Sequence, residues 1–208
     1  MNVEILISFV LATSLLAISP GPDNIYVLMQ GIVNGKKYGL ATVAGLISGC
    51  IVHTTLVAFG VSAIIKSNDY LFLGLKVIGA LYLLYLAYNV YKSSSDIVIN
   101  ADNVPKKGLM QLFKQGFIMN VLNPKVSIFF LAFFPGFLFS ETLSTVVQFY
   151  ILGILFMLTS LIIFSLIAIL SSSISVYIRE HKNSGVVLKW LQIVVFVGIA
   201  IFIFLSEK

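Results

Sequence analysis

The sequence predicts an all-α polytopic membrane protein whose six transmembrane helices form two inverted three-helix repeats. Three observations predict it. Of 208 residues 59% are apolar and 10% charged, against about 25% charged in an ordinary globular domain. The apolar residues fall into six runs, each long enough for the roughly 20 residues that cross a hydrocarbon core. The first run of each half is interrupted by proline. Lipid offers no partner to a free amide or carbonyl, so the runs must be helices that satisfy their own backbone. The weak period-two segments of a β-barrel are missing from the sequence.

The runs span residues 5–29, 38–65, 70–91, 112–139, 143–170 and 186–205. They form a single transmembrane domain over residues 1–208, with a first half of about 1–91, a linker of about 92–111 and a second half of about 112–208. The first run follows Glu4 with no Lys or Arg ahead of it and no small-x-small cleavage pattern after it, so it reads as a helix rather than a cleaved signal.

Its apolar stretch is broken by Ser19-Pro20-Gly21-Pro22-Asp23-Asn24. Proline removes an amide donor and crowds the preceding turn, which frees carbonyls near Leu16 and Ile18. Gly31, Gly35 and Gly39 recur every four residues, and Ala41, Gly45 and Gly49 repeat the spacing inside the second run. Small residues at that spacing let helix backbones approach closely, within one chain or between protomers of a homo-oligomer. Cys50 is the only cysteine, which rules out an intramolecular disulfide and a dithiol relay.

The third run carries Lys76 near its outer end, where a snorkelling side chain is an alternative to a functional one. Tyr82, Tyr85, Tyr88 and Tyr91 fall toward its other end, as an interfacial aromatic belt would. The linker is rich in Ser, Asn and Asp and ends in Pro105. The fourth run is broken by Asn123-Pro124-Lys125, which frees a carbonyl near Asn120. Runs five and six are almost purely apolar.

Lys36, Lys37, Lys92, Lys106, Lys107, Lys114, Arg179, Lys182 and Lys189 lie in or beside the odd-numbered connections, against Lys66 and Lys208 on the other side. The positive-inside rule makes the odd connections cytoplasmic and both termini external. The net charge of +5 is spread over these loops without a basic, aromatic-interleaved cluster, so nucleic acid is not an expected partner.

Apart from Lys114 and Lys189 near run ends, the charged or histidine side chains within the runs are Asp23, His53, Lys76 and Lys125. A charge at mid-bilayer costs roughly 2.5–3.5 kcal/mol on the insertion scale, so each requires a partner or water. Paired broken helices point at a central site, because opened backbone is tolerated only where protein or a watery cavity surrounds it. Asp23 and Lys125, one beside each break, are expected to face each other across that cavity, either as a solute site or as an ion pair that pins the halves. A zwitterion suits two such poles. Asn24 and Asn123 serve equally as binding groups or as caps. His53 is a lone ring, either a proton relay or a packed side chain.

Pro20-Gly21-Pro22, Gly39, Gly45 and Gly49, Leu75-Lys76 with Gly79-Ala80 and Tyr82-Leu83, then Gly116-Phe117, Asn120, Asn123-Pro124-Lys125, Phe129-Phe130 and Pro135 stand in an order that resembles the LysE/RhtB family of bacterial amino-acid exporters. The resemblance covers most of residues 15 to 140. It implies a multi-pass inner-membrane secondary transporter that exports amino acids or their derivatives, coupled to protons rather than ATP and without a cofactor. It places Pro20, Gly21, Pro22, Lys76, Asn123, Pro124 and Lys125 at motif positions, with Asp23 directly after the first motif. No Gly-rich phosphate loop ending in Gly-Lys-Ser/Thr is present in the sequence.

A passive channel, an exporter of another small solute and a membrane scaffold share this composition. An intramembrane enzyme is disfavoured by the lack of His-Glu-x-x-His, of Gly-x-Ser-x-Gly and of a second intramembrane Asp, and no metal site is expected.

Overall fold

The computed structural model describes residues 2–67, 69–95, 107–181 and 183–205, and these are helical with no strand among them. The helices are α1 (Val3–Ile18), α2 (Pro22–Val33), α3 (Lys36–Leu56), α4 (Ser62–Ser67), α5 (Asp69–Lys92), α6 (Leu109–Val121), α7 (Pro124–Ile128), α8 (Thr145–Ile169), α9 (Ser171–Glu180) and α10 (Ser184–Leu205). Four spans are unbroken and long and apolar enough to cross a membrane: Lys36–Ile65, Asp69–Lys92, Thr145–Ile169 and Ser184–Leu205. Two more are bent pairs: Val3–Ile18 with Pro22–Val33 at 60°, and Leu109–Val121 with Pro124–Phe137 at 49°. The six expected spans are therefore present. Of the linker only its flanks are described; residues 96–106, including Asp96, Asn100, Asp102, Asn103 and Pro105, lie outside the described residues.

Lipid removes most of the hydrophobic drive for helix association, so close packing of small residues has to supply it. α3 and α6 meet backbone to backbone. A Cβ added at Gly45 would strike the carbonyl oxygen of Phe113, and one at Gly116 the carbonyl of Thr42. Gly49 rests on the Asn120 side chain, Gly31 on Ser171 and Gly39 on Ala168. The small-residue stripes are thus used within the chain. Gly35 is different, since it turns α2 into α3 with φ of 96°, a conformation that favours glycine.

Three features differ from the sequence expectation. Pro22, Asp23 and Asn24 belong to the first turn of α2, so the first interruption shrinks to Ser19-Pro20-Gly21. π-helical turns at Val57–Val61 and Phe129–Phe133 continue α3 and α7, and such turns often mark functional helices. The fifth connection folds as the amphipathic α9, which packs on α2 while Val176 and Tyr177 stay exposed.

The two ends of the bundle are built differently. On the side of the N-terminus the Asn2 amide donates to Phe139 O at 2.9 Å, and Gln148 clamps the following loop. The Gln148 carbonyl oxygen accepts from the amides of Phe139 and Ser140, and its amide donates to Ser140 O and Leu143 O. Beneath that loop Phe9, Phe129, Phe130, Phe133, Phe134, Phe137 and Phe156 form one buried aromatic cluster, with ring centroids as close as 4.2 Å for Phe130 and Phe134. The opposite end, where the Lys-rich connections gather, holds a broad vestibule between α2, α5, α9 and α10. Tyr85, Tyr88 and Tyr91 are exposed on α5, as an interfacial belt would be.

Candidate functional site

The two helix breaks meet. Pro22 starts α2 behind a glycine that has no capping side chain, and Pro124 starts α7 behind Asn123, whose side-chain oxygen accepts from the Lys125 amide at 3.0 Å. Between them lies a tight cavity of about 30 Å3. Asp23, Asn24, Asn123 and Lys125 all line it, as do Gly21 and Pro22.

The polar groups are crossed between the halves. Asn123 Nδ2 donates to Asp23 Oδ2 at 2.8 Å, and Lys125 Nζ donates to the Ser19 carbonyl at 3.3 Å. Each charge therefore bonds to the opposite break. Asp23 is 5% exposed, although it sits among apolar spans. The Lys125 ammonium also faces the Phe196 ring at 5.3 Å and stands 3.5 Å from the position of a Cβ on Gly21.

Carbonyls opened at the two breaks find side-chain donors. Asn24 Nδ2 donates to Ala17 O at 2.6 Å, so Asn24 patches the end of α1 and does not cap α2. Asn120 O, which the missing amide of Pro124 would have bonded, takes the Asn123 amide and the His53 Nε2, each at 3.0 Å. His53 is thereby a buried structural donor to the second break.

Lys76 is not drawn in. It is half-buried on α5, outside the lining of the cavity, with its ammonium 5.8 Å from the Phe72 ring of its own helix. Sequence reasoning also missed lining residues: Ser160 on α8, the side chain of Asn120 on α6, and an apolar wall of Leu16, Val126, Phe156 and Phe164. Ser160 shares α8 with Thr159 and Ser165, so nothing in the sequence singled it out. Among the described residues no group of three metal-ligating side chains occurs.

Asn24 lines both the central cavity and the vestibule, so the site adjoins the Lys-rich end of the bundle, while the phenylalanine cluster lies on its other side.

The profile of the LysE type translocator family matches residues 14–207. The chain belongs to that family. Two curated relatives, each described as "Homoserine/homoserine lactone efflux protein", from Salmonella typhimurium strain LT2 and Salmonella typhi, are each 28% identical over 184 residues, covering 88% of this chain and 88% of the relative. No solved structure matches the chain significantly. As a LysE-type translocator it is a multi-pass inner-membrane protein, and the match takes in α8 and α10, where the motifs seen in the sequence were silent.

Proposed function

We propose that this LysE-type translocator exports amino acids or amino-acid derivatives from the cytoplasm, driven by the proton gradient, with the cavity between the two helix breaks as its solute site. One observation carries the reading: paired interruptions bring an acidic and a basic side chain to the same cavity at the centre of an apolar bundle. An α-ammonium group suits the Asp23 side and an α-carboxylate the Lys125 side, so a zwitterion meets both charges without leaving either bare. The efflux activity named for the two Salmonella relatives supports the same direction and solute class.

The packing also favours an inverted repeat. The first span (α1, α2) packs on the fifth (α8) as the fourth (α6) packs on the second (α3), and the third and sixth (α5, α10) pair with each other. Rocking of one half against the other would expose the site alternately. Loop charge makes the vestibule the cytoplasmic mouth, with the phenylalanine cluster as the closed outer side.

The test is release from loaded proteoliposomes. A panel of labelled amino acids should leave only under an imposed proton gradient, and a protonophore should stop it. Release at the same rate with the gradient dissipated would favour a passive channel, and no release of any amino acid would refute the solute class.

A further inference from the structure

The central cavity and the vestibule differ in size by an order of magnitude. At about 30 Å3 the cavity between the breaks holds little more than a water. The vestibule has about 360 Å3, room for a whole amino acid. In this conformation a solute fits the vestibule and has to be held there until the bundle opens.

The wall that α10 gives to the vestibule carries polar groups at helical spacing. Gly185, Lys189 and Gln192 share one face of the helix and line the space. Phe196, about one turn beyond Gln192, continues that face to the middle of the bundle, where its ring lies 5.3 Å from the Lys125 ammonium. Lys189 stands two turns before Phe196, about 10 Å along the helix. Two ammonium groups therefore mark the two ends of one helix face, and Gln192 lies between them.

Lys189 is the one charged side chain among the described residues that line the vestibule. Its ammonium donates to Ser93 O at the end of α5 at 2.7 Å and lies 5.8 Å from the Tyr91 ring. That bond uses one donor of the ammonium and leaves others for a ligand. Gln192 makes no hydrogen bond to any described residue. Asn24 lines both spaces and stands where they meet. A lone positive charge on largely apolar walls attracts the negative end of a zwitterion.

We propose that Lys189 and Gln192 form an entry subsite in the vestibule, which holds the α-carboxylate of the solute before it passes Asn24 to reach Lys125. The inference rests on the exporter reading above and adds a second carboxylate station to its route. Lys189 takes the carboxylate at the mouth, Gln192 donates to it one turn deeper, and Ile25, Leu28 and Ile174 face the rest of the solute. Such a subsite acts on capture, so its loss is read in the half-saturating concentration more than in the maximal rate.

The experiment measures gradient-driven release from proteoliposomes loaded with increasing concentrations of a transported amino acid, in phosphatidylcholine alone and with phosphatidylglycerol added. Lys189→Gln removes the charge but keeps an amide donor for Ser93 O. It should raise the half-saturating concentration about fivefold in both lipids, a larger change than any in maximal rate. Lys189→Arg should bring half-saturation back to near the wild-type value, and Gln192→Leu should raise it about threefold. Thermal unfolding in detergent identifies a variant that fails to fold; if Lys189→Gln does, Gln192→Leu, which breaks no bond to a described residue, carries the test. A wild-type half-saturation in folded Lys189→Gln, or a fall in maximal rate alone, overturns the subsite and reduces Lys189 to a brace between α5 and α10. A defect confined to vesicles with phosphatidylglycerol overturns it in favour of an anionic lipid headgroup. Each of these results leaves the exporter reading standing. If wild type releases no amino acid at any loading, the exporter reading falls and the subsite with it.

Discussion

The two helix breaks solve one problem in opposite ways. The first, Ser19-Pro20-Gly21, bends the span by 60° and has no local side-chain cap; its opened carbonyls depend on Asn24 seven residues on and on Lys125 of the other half. The second bends by 49° and is capped on the spot by Asn123, with His53 of α3 completing Asn120 O. The first break is therefore held by the second. In the proposed site both are poles, but Lys125 also donates the brace that holds the opened first break, whereas Asp23 accepts its brace from Asn123.

That asymmetry sets the expected order of effects. Lys125→Ala removes pole and brace together and leaves Asp23 as an uncompensated charge in the membrane, so gradient-driven release should fall at least about a hundredfold, read in proteoliposomes. Asp23→Asn keeps an acceptor for Asn123 and should cost less, about tenfold in release with little change in folding. If Asp23→Asn proved the more damaging variant, the asymmetry between the breaks would be wrong.

Gly45→Ala forces a Cβ onto the Phe113 carbonyl, where only backbone movement can make room, and should destabilise the protein by about 1–3 kcal/mol or more in thermal unfolding. Gly198→Ala, which meets nothing within 4 Å, is its control and should leave unfolding unchanged. His53→Gln tests the second break most gently. An amide can still donate to Asn120 O, so stability should fall by no more than about 1 kcal/mol and gradient-driven release should stay within about threefold of wild type. Loss of proton coupling in that variant, with folding intact, would instead make His53 part of the proton path.

The spans were legible in the sequence because bilayer thickness fixes their length and lipid forbids open backbone. The breaks were legible for a chemical reason, proline beside a charge, and so were Asp23, Asn24, Asn123 and Lys125 as members of one constellation. What stayed hidden depends on helix rotation and register. Ser160 looks like any other span hydroxyl until it is seen to line the cavity with its buried Oγ unpartnered, and Lys76 has the sequence credentials of Lys125 but sits on a helix that does not reach the cavity. The roles of Asn24 and His53 required knowing which carbonyls came within reach. The second π-helical turn and α9 carry no Pro or Gly to announce them, and the first holds only Gly60.

Equilibrium binding to the purified protein tests the two-pole site most directly. A transported amino acid is compared with its methyl ester, which lacks the negative pole, and with the amine left by decarboxylation. Each single-pole analogue should bind at least about tenfold more weakly than the zwitterion, a loss of about 1.4 kcal/mol or more, and Lys125→Ala should erase the difference between acid and ester. An ester or amine that binds wild type as tightly as the amino acid would contradict a site made by Asp23 and Lys125 together.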